Sequence, residues 1–224
     1  MKFSDYLTKY LPSILADTLY VVLVSAILAI IMGVVVGSVL FLLRKNKKNK
    51  LAYVFYKVLD VVVNIFRSFP FYILIFWLIP FTRNIMKLIT GIGTSMSTDA
   101  FIVPLTVAAI PFFSKLIENA LIEVNSGIIE AATSLGLSTF QITVKVVLRE
   151  ALPAIVSGIT LGIVTLIGFS AMSGVVGGTG LGQFAIDYGL TNYDSAAMGY
   201  AVLTLILLVL SVQLIGNLIY KLVK

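Results

Sequence analysis

Four stretches of this 224-residue chain are each long and apolar enough to cross a lipid bilayer as a helix, which removes most soluble architectures at once. A bilayer core is about 30 Å thick and takes roughly 20 apolar residues to span, because lipid offers no partner to a free backbone N–H or C=O. The stretches run from Leu15 to Leu43, Phe101 to Leu121, Pro153 to Ser173 and Ala196 to Tyr220. A fifth, between Leu51 and Pro80, is less regular. Lys57, Asp60, Asn64 and Arg67 fall inside it at spacings of three, four and three, which places them on one helical face. Such a segment either lies obliquely at the interface or turns its polar stripe into the protein interior. The predicted fold is all-α: a polytopic membrane protein with five transmembrane helices in a single domain spanning 1–224.

Composition agrees with lipid as the solvent. Hydrophobic residues make up 59% of the chain and charged residues 12%, with a mean hydropathy of +1.08, against about 25% charged in soluble domains. Histidine and cysteine are absent, which excludes disulfides, zinc sites, thiol nucleophiles and imidazole bases. The net charge of +6 does not point to nucleic acid, because the basic residues gather at the ends of apolar segments. The opening Met1-Lys2-Phe3-Ser4-Asp5 lacks the short apolar core and cleavage site of a secretory signal, so the first helix is expected to stay in the mature protein.

Lysine and arginine also set the expected orientation. Arg44, Lys45, Lys47, Lys48 and Lys50 in the first loop belong on the cytoplasmic side. Five crossings then put the 83–99 loop outside, 122–152 inside, 187–194 outside, and Lys221 and Lys224 inside. The N-terminus falls outside, where Lys2 and Lys9 are balanced by Asp5 and Asp17. No internal repeat is visible, and an odd number of spans argues against a complete inverted-repeat carrier. A proton-coupled carrier would also place ionisable groups at the midplane of several helices, and the third to fifth spans hold almost none there.

The loop at about 122–152 is too long for a simple turn and reads as helix, break, helix. Alanine and leucine favour the first helix, Gly136 fits a left-handed C-terminal cap, and Ser138 with Gln141 has the spacing of a capping box. Ala131 and Ala132 would let a partner approach closely, and Glu130 offers a carboxylate for a hydrogen bond or ion pair. An ordinary connecting hairpin fits the same residues. Gly174, Gly177, Gly178, Gly180 and Gly182 follow the fourth span without forming a dinucleotide fingerprint, and tight turns with close helix packing explain them. Lys115 and Glu118, three apart, can pair on one helix face. Arg67 is expected to reach the interface, a carboxylate or water.

The string EAATSLG, followed by VVLREALP, resembles the cytoplasmic signature of binding-protein-dependent ABC importer permeases. Glu130, Ala131, Ala132 and Gly136 match that signature; downstream, Val146 and Leu148 stand where Ile and Leu are usual, and Arg149 replaces a proline. The resemblance continues through NIFRSFPF, PLTVAAIPFFSKLIENALIEV and SAMSGVVGGTGLGQ, and is strongest to the methionine branch. It implies a type I importer permease in the bacterial inner membrane, working as two copies of this chain. The implied partners are a dimer of ABC ATPase subunits that binds ATP and Mg, and an extracellular or periplasmic substrate-binding protein. No cofactor is implied in this chain, and no Gly-x-x-x-x-Gly-Lys-Ser/Thr phosphate loop occurs in it. Glu130, Ala131, Ala132 and Gly136 would engage the ATPase. The glycine-rich segment would belong to an external gate, with Phe169, Ser170, Met172 and Ser173 on the substrate pathway beside it. Met172 and Phe169 would share a helix face against which a thioether ligand packs well, although ordinary helix packing fits them too. The alternatives are a permease for another amino acid or small peptide, or an ATP-independent channel or secondary transporter.

Overall fold

The computed structural model describes residues 1–45 and 49–224; Lys47 and Lys48, counted above with the first cytoplasmic loop, lie outside them. The described residues are helical almost throughout and contain no strand. In chain order the helices are α1 (Phe3–Lys45), α2 (Lys50–Ser68), α3 (Phe71–Trp77), α4 (Ile79–Thr90), α5 (Thr98–Ile122), α6 (Ser126–Ser134), α7 (139–150), α8 (Leu152–Ser170), α9 (181–191) and α10 (Ser195–Val223). Four are long and apolar enough to cross a membrane: α1, α5, α10, and α8 with its continuation to Val176. A fifth crossing arises if α2 and α3 count as one broken span.

The α2–α3 pair explains the irregular second segment. It bends by 102° at Phe69-Pro70. Proline lacks the N–H that would continue the ladder and drives the residue before it out of the helical region, so α2 stops at Ser68 and a new helix starts at Phe71. The stripe divides accordingly: Asp60 and Asn64 are half-buried, whereas Lys57 and Arg67 are exposed. The 83–99 stretch is not a plain loop. Its first part belongs to α4, an amphipathic helix that buries Thr82 and Met86 on one face and ends on Gly91. Arg83, Asn84 and Lys87 had hidden that helix by diluting its hydropathy. Helix α1 begins earlier than the apolar run because Pro12 is accommodated by a π-helical turn at Tyr6–Tyr10, where the Leu11 N–H donates to the Tyr6 carbonyl.

The chain divides into two compact units, and each long helix contributes to both. The first unit comprises Met1–Leu28, Phe69–Ala109 and Ile163–Gln213. Its core joins Tyr6 and Phe184 to Ala197 and Ala201, which lie one turn apart on α10 and present no bulk to the tyrosine ring. The rings of Tyr6 and Phe184 sit 5.3 Å apart, and Tyr188 stacks on Phe184 at 4.9 Å. The Tyr6 hydroxyl shares a 2.6 Å hydrogen bond with that of Thr204, so the buried phenol is not left unpaired.

The second unit comprises Ala29–Ser68, Ile110–Gly162 and Leu214–Lys224. Its core clusters Phe41 of α1 and Ile117, Ala120 and Leu121 of α5 with Ala132, Ile142, Val147, Ala151 and Ile155. Helices α1 and α5 meet at Gly33 and Gly37, the small-xxx-small spacing that lets membrane helices approach at backbone distance. A Cβ on Gly33 would stand 2.6 Å from that of Phe113, and one on Gly37 would stand 2.6 Å from the Ser114 carbonyl oxygen.

Candidate functional site

Two groups of residues carry the functional expectations, one in each unit. The first is built on α6 and α7. Asn125 opens α6 by accepting the Gly127 N–H at 2.8 Å, which satisfies one of the donors that a helix start leaves free. The helix closes at Gly136, whose φ of +79° is open to glycine and strained for other residues. There the Leu137 N–H donates to the Ala132 carbonyl at 3.3 Å and the Gly136 N–H to that of Thr133 at 2.9 Å. Ser138 then caps α7 reciprocally: its hydroxyl accepts the Gln141 N–H at 3.3 Å, and its own N–H donates to the Gln141 side chain at 2.9 Å. The break between the two helices is therefore hydrogen-bonded at both ends and holds a defined bend.

That bend sorts the signature residues by role. Glu130, Ala131 and Gly136 are exposed, while Ala132 is buried in the unit's own core. The small side chain of Ala132 packs within the chain's own core. Two residues absent from the sequence reasoning join the exposed face. Leu135 is 81% exposed and Phe140 69%, flanking Gly136 at the bend. The only signal for them was an apolar pair set among Thr133, Ser134, Ser138 and Thr139.

The second group lies in the first unit. Helix α8 ends at Ser170, and the chain tightens into a 3-10 turn over Ala171–Val176 before Gly177. Phe169 and Met172 thus lie on either side of the change from α-helix to 3-10 turn. Phe169 stacks on Phe71 at 4.4 Å with the rings 14° apart, and Phe71 meets Phe101 edge-on at 6.3 Å. Met172 is exposed. Ser170 and Ser173 are buried and spend their protons on backbone carbonyls: Ser170 donates to Ile167 and Ser173 to Thr179, each at 2.8 Å. Both bonds shape the turn. Of the four residues, Met172 is exposed and Phe169 half-buried.

The glycine-rich segment is pinned from distant parts of the chain. The Thr18 hydroxyl accepts the Leu181 N–H at 2.9 Å while donating to the Ile14 carbonyl at 2.8 Å. At Gly180, with φ +85°, a Cβ would stand 2.5 Å from that same hydroxyl oxygen. Thr98 and Thr179 share a hydroxyl–hydroxyl bond at 2.8 Å. Thr18 and Thr98 had no local signal, since their partners are 163 and 81 residues away.

Residues 29–224 match the family described as binding-protein-dependent transport system inner membrane component. The probable D-methionine transport system permease protein MetI of Pasteurella multocida is 43% identical over 203 residues, covering 90% of this chain and 89% of that protein. The D-methionine transport system permease protein MetI of Escherichia coli K12 is 44% identical over 158 residues, 70% of each chain. Among solved structures, a chain from inward-facing conformations of the MetNI methionine ABC transporter matches all of this chain with a TM-score of 0.90 at 39% identity. An amino acid ABC transporter crystallised with histidines matches 99% of the chain with a TM-score of 0.72; at 19% identity this likeness shows the fold alone.

Proposed function

The chain belongs to the binding-protein-dependent transport system inner membrane component family, and on that premise we propose that it is the permease subunit of an ATP-driven ABC importer for methionine. It is a multi-pass bacterial inner-membrane protein, and ATP hydrolysis belongs to a separate subunit. The observation that carries the substrate is the full-length likeness at TM-score 0.90 to a chain of the MetNI methionine transporter. In our reading two copies of the chain assemble with two ATPase subunits, which bind ATP and Mg. A binding protein outside the membrane delivers the substrate.

The geometry supports a division of labour within the chain. The bend between α6 and α7 is oriented toward the cytoplasm and seats in a groove of the ATPase subunit. Leu135 and Phe140 supply the apolar contact, Glu130 the polar one, and the capped break at Gly136 transmits displacement because it cannot flex freely. The glycine-rich turn forms part of the outer gate, braced by Thr18 and Thr98. Met172 lines the path beside it, where its soft thioether suits a methionine side chain. Transport then follows from ATP-driven closure that favours one state of the permease pair over the other by differential contacts.

Labelled methionine uptake into proteoliposomes holding the chain, its ATPase subunit and its binding protein tests the substrate. Unlabelled methionine should compete and other amino acids should not. Efficient competition by a different amino acid would keep the importer and overturn the substrate.

A further inference from the structure

The second unit holds a group of charges that the transport reading leaves unused. Glu118 of α5 is fully buried, a carboxylate with no exposed surface in a membrane helix. Lys115, one turn earlier, contacts it at 2.6 Å and also contacts the carboxylate of Asp60 on α2. Arg44, at the end of α1, places a guanidinium nitrogen 3.8 Å from Glu118, and the Tyr56 hydroxyl of α2 donates to the same carboxylate at 3.4 Å. Two cations and two anions make the group neutral. Each depends on the others, because an unpaired charge is costly where water is scarce.

The group joins three helices at the level where they meet the α6–α7 segment. Phe41 lies one turn before Arg44, and Ile117 and Leu121 flank Glu118; all three belong to the core that includes Ala132, Ile142 and Val147. Helix α2 takes no part in that core, and Val63 is its one buried side chain. Its ties through Asp60 and Tyr56 are therefore polar and directional. Buried ion pairs seldom stabilise a fold more than apolar residues of the same size would, so orientation is the property such a group supplies best.

We propose that Lys115 is a positioning residue of the transport cycle: by bridging Asp60 and Glu118 it locks α2, α5 and the end of α1 into one body that moves with the α6–α7 segment. This rests on the reading of that segment as the one that engages the ATPase.

The test reconstitutes the permease with its ATPase subunit and binding protein and measures methionine taken up per ATP hydrolysed. Lys115→Met strands the Asp60 carboxylate, while Glu118 keeps Arg44, and should accumulate poorly. Asp60→Asn with Lys115→Met leaves Arg44 and Glu118 as a neutral pair. This double variant should accumulate and hydrolyse ATP like wild type while its uptake per ATP falls about tenfold, within the usual range of coupling between sites. A double variant with the wild-type ratio overturns the proposal. Should it fail to accumulate, Asp60→Cys with Lys115→Cys decides, since the chain has no other cysteine. Joining the two thiols with a short bifunctional reagent should raise uptake per ATP above that of the unjoined protein, whereas loss of uptake on joining would show that the helices must separate and would overturn it. Wild-type vesicles without ATP-driven uptake would instead count against the permease reading itself.

Discussion

Replacing Leu135 by alanine separates what the α6–α7 bend does for this chain from what it does for a partner. The side chain is 81% exposed, so its removal should change the stability of the isolated permease by no more than about 0.5 kcal/mol. If the ATPase subunit covers it, the substitution removes three buried carbons at about 0.8 kcal/mol each, which at this exposure comes to about 2 kcal/mol of association energy. That is roughly a thirtyfold weaker complex. Phe140, 69% exposed on the same bend, should behave alike, and the pair of substitutions should exceed either alone. The assay is titration of the detergent-solubilised permease with its ATPase subunit, alongside thermal unfolding of each permease variant alone. Unchanged affinity in both variants would refute the placement of the partner on this face. A matching loss of melting temperature would show that the residues serve the fold instead.

Other outcomes follow from the same structure. Gly33→Ala sets a Cβ 2.6 Å from that of Phe113 and 3.1 Å from the Phe113 carbonyl carbon, so α1 and α5 must part; overpacking of about 1–3 kcal/mol should lower the melting temperature in detergent. Gly136→Ala meets open space but takes on the left-handed backbone at about 1–2 kcal/mol, and should weaken coupling modestly while the protein still inserts. Gly136→Pro should uncouple hydrolysis from uptake more fully, because proline fixes a negative φ and removes the N–H that bonds Thr133. Met172→Ala should alter the kinetics of methionine uptake without changing the amount of complex; normal kinetics would take Met172 off the substrate path.

What could be read in the sequence was set by how local the cause was. Gly136, Ser138 and Gln141 act within a few residues, and the cap and break they form are legible from spacing alone. The pairing of Lys115 with Glu118 is likewise one helical turn. Asp60 and Arg44 completing that pair were not legible, because the sequence does not tell which helices meet. The same holds for Thr18 bracing Leu181 and for Phe71 stacking on Phe169. The stretch between Leu51 and Pro80 read only as less regular, because the 102° turn after Ser68 depends on where α3 finds its packing partners. Helix α4 escaped notice for another reason: its period-3.6 face buries only Thr82 and Met86, too small a stripe to stand out beside long apolar spans.

The most direct test compares flux of labelled methionine into vesicles holding the permease alone with flux into vesicles that also hold its ATPase subunit and binding protein, with and without ATP. Accumulation above the outside concentration only in the complete system with ATP is the expected result. Flux through the permease alone, unaffected by ATP, would contradict a permease driven by a separate ATPase.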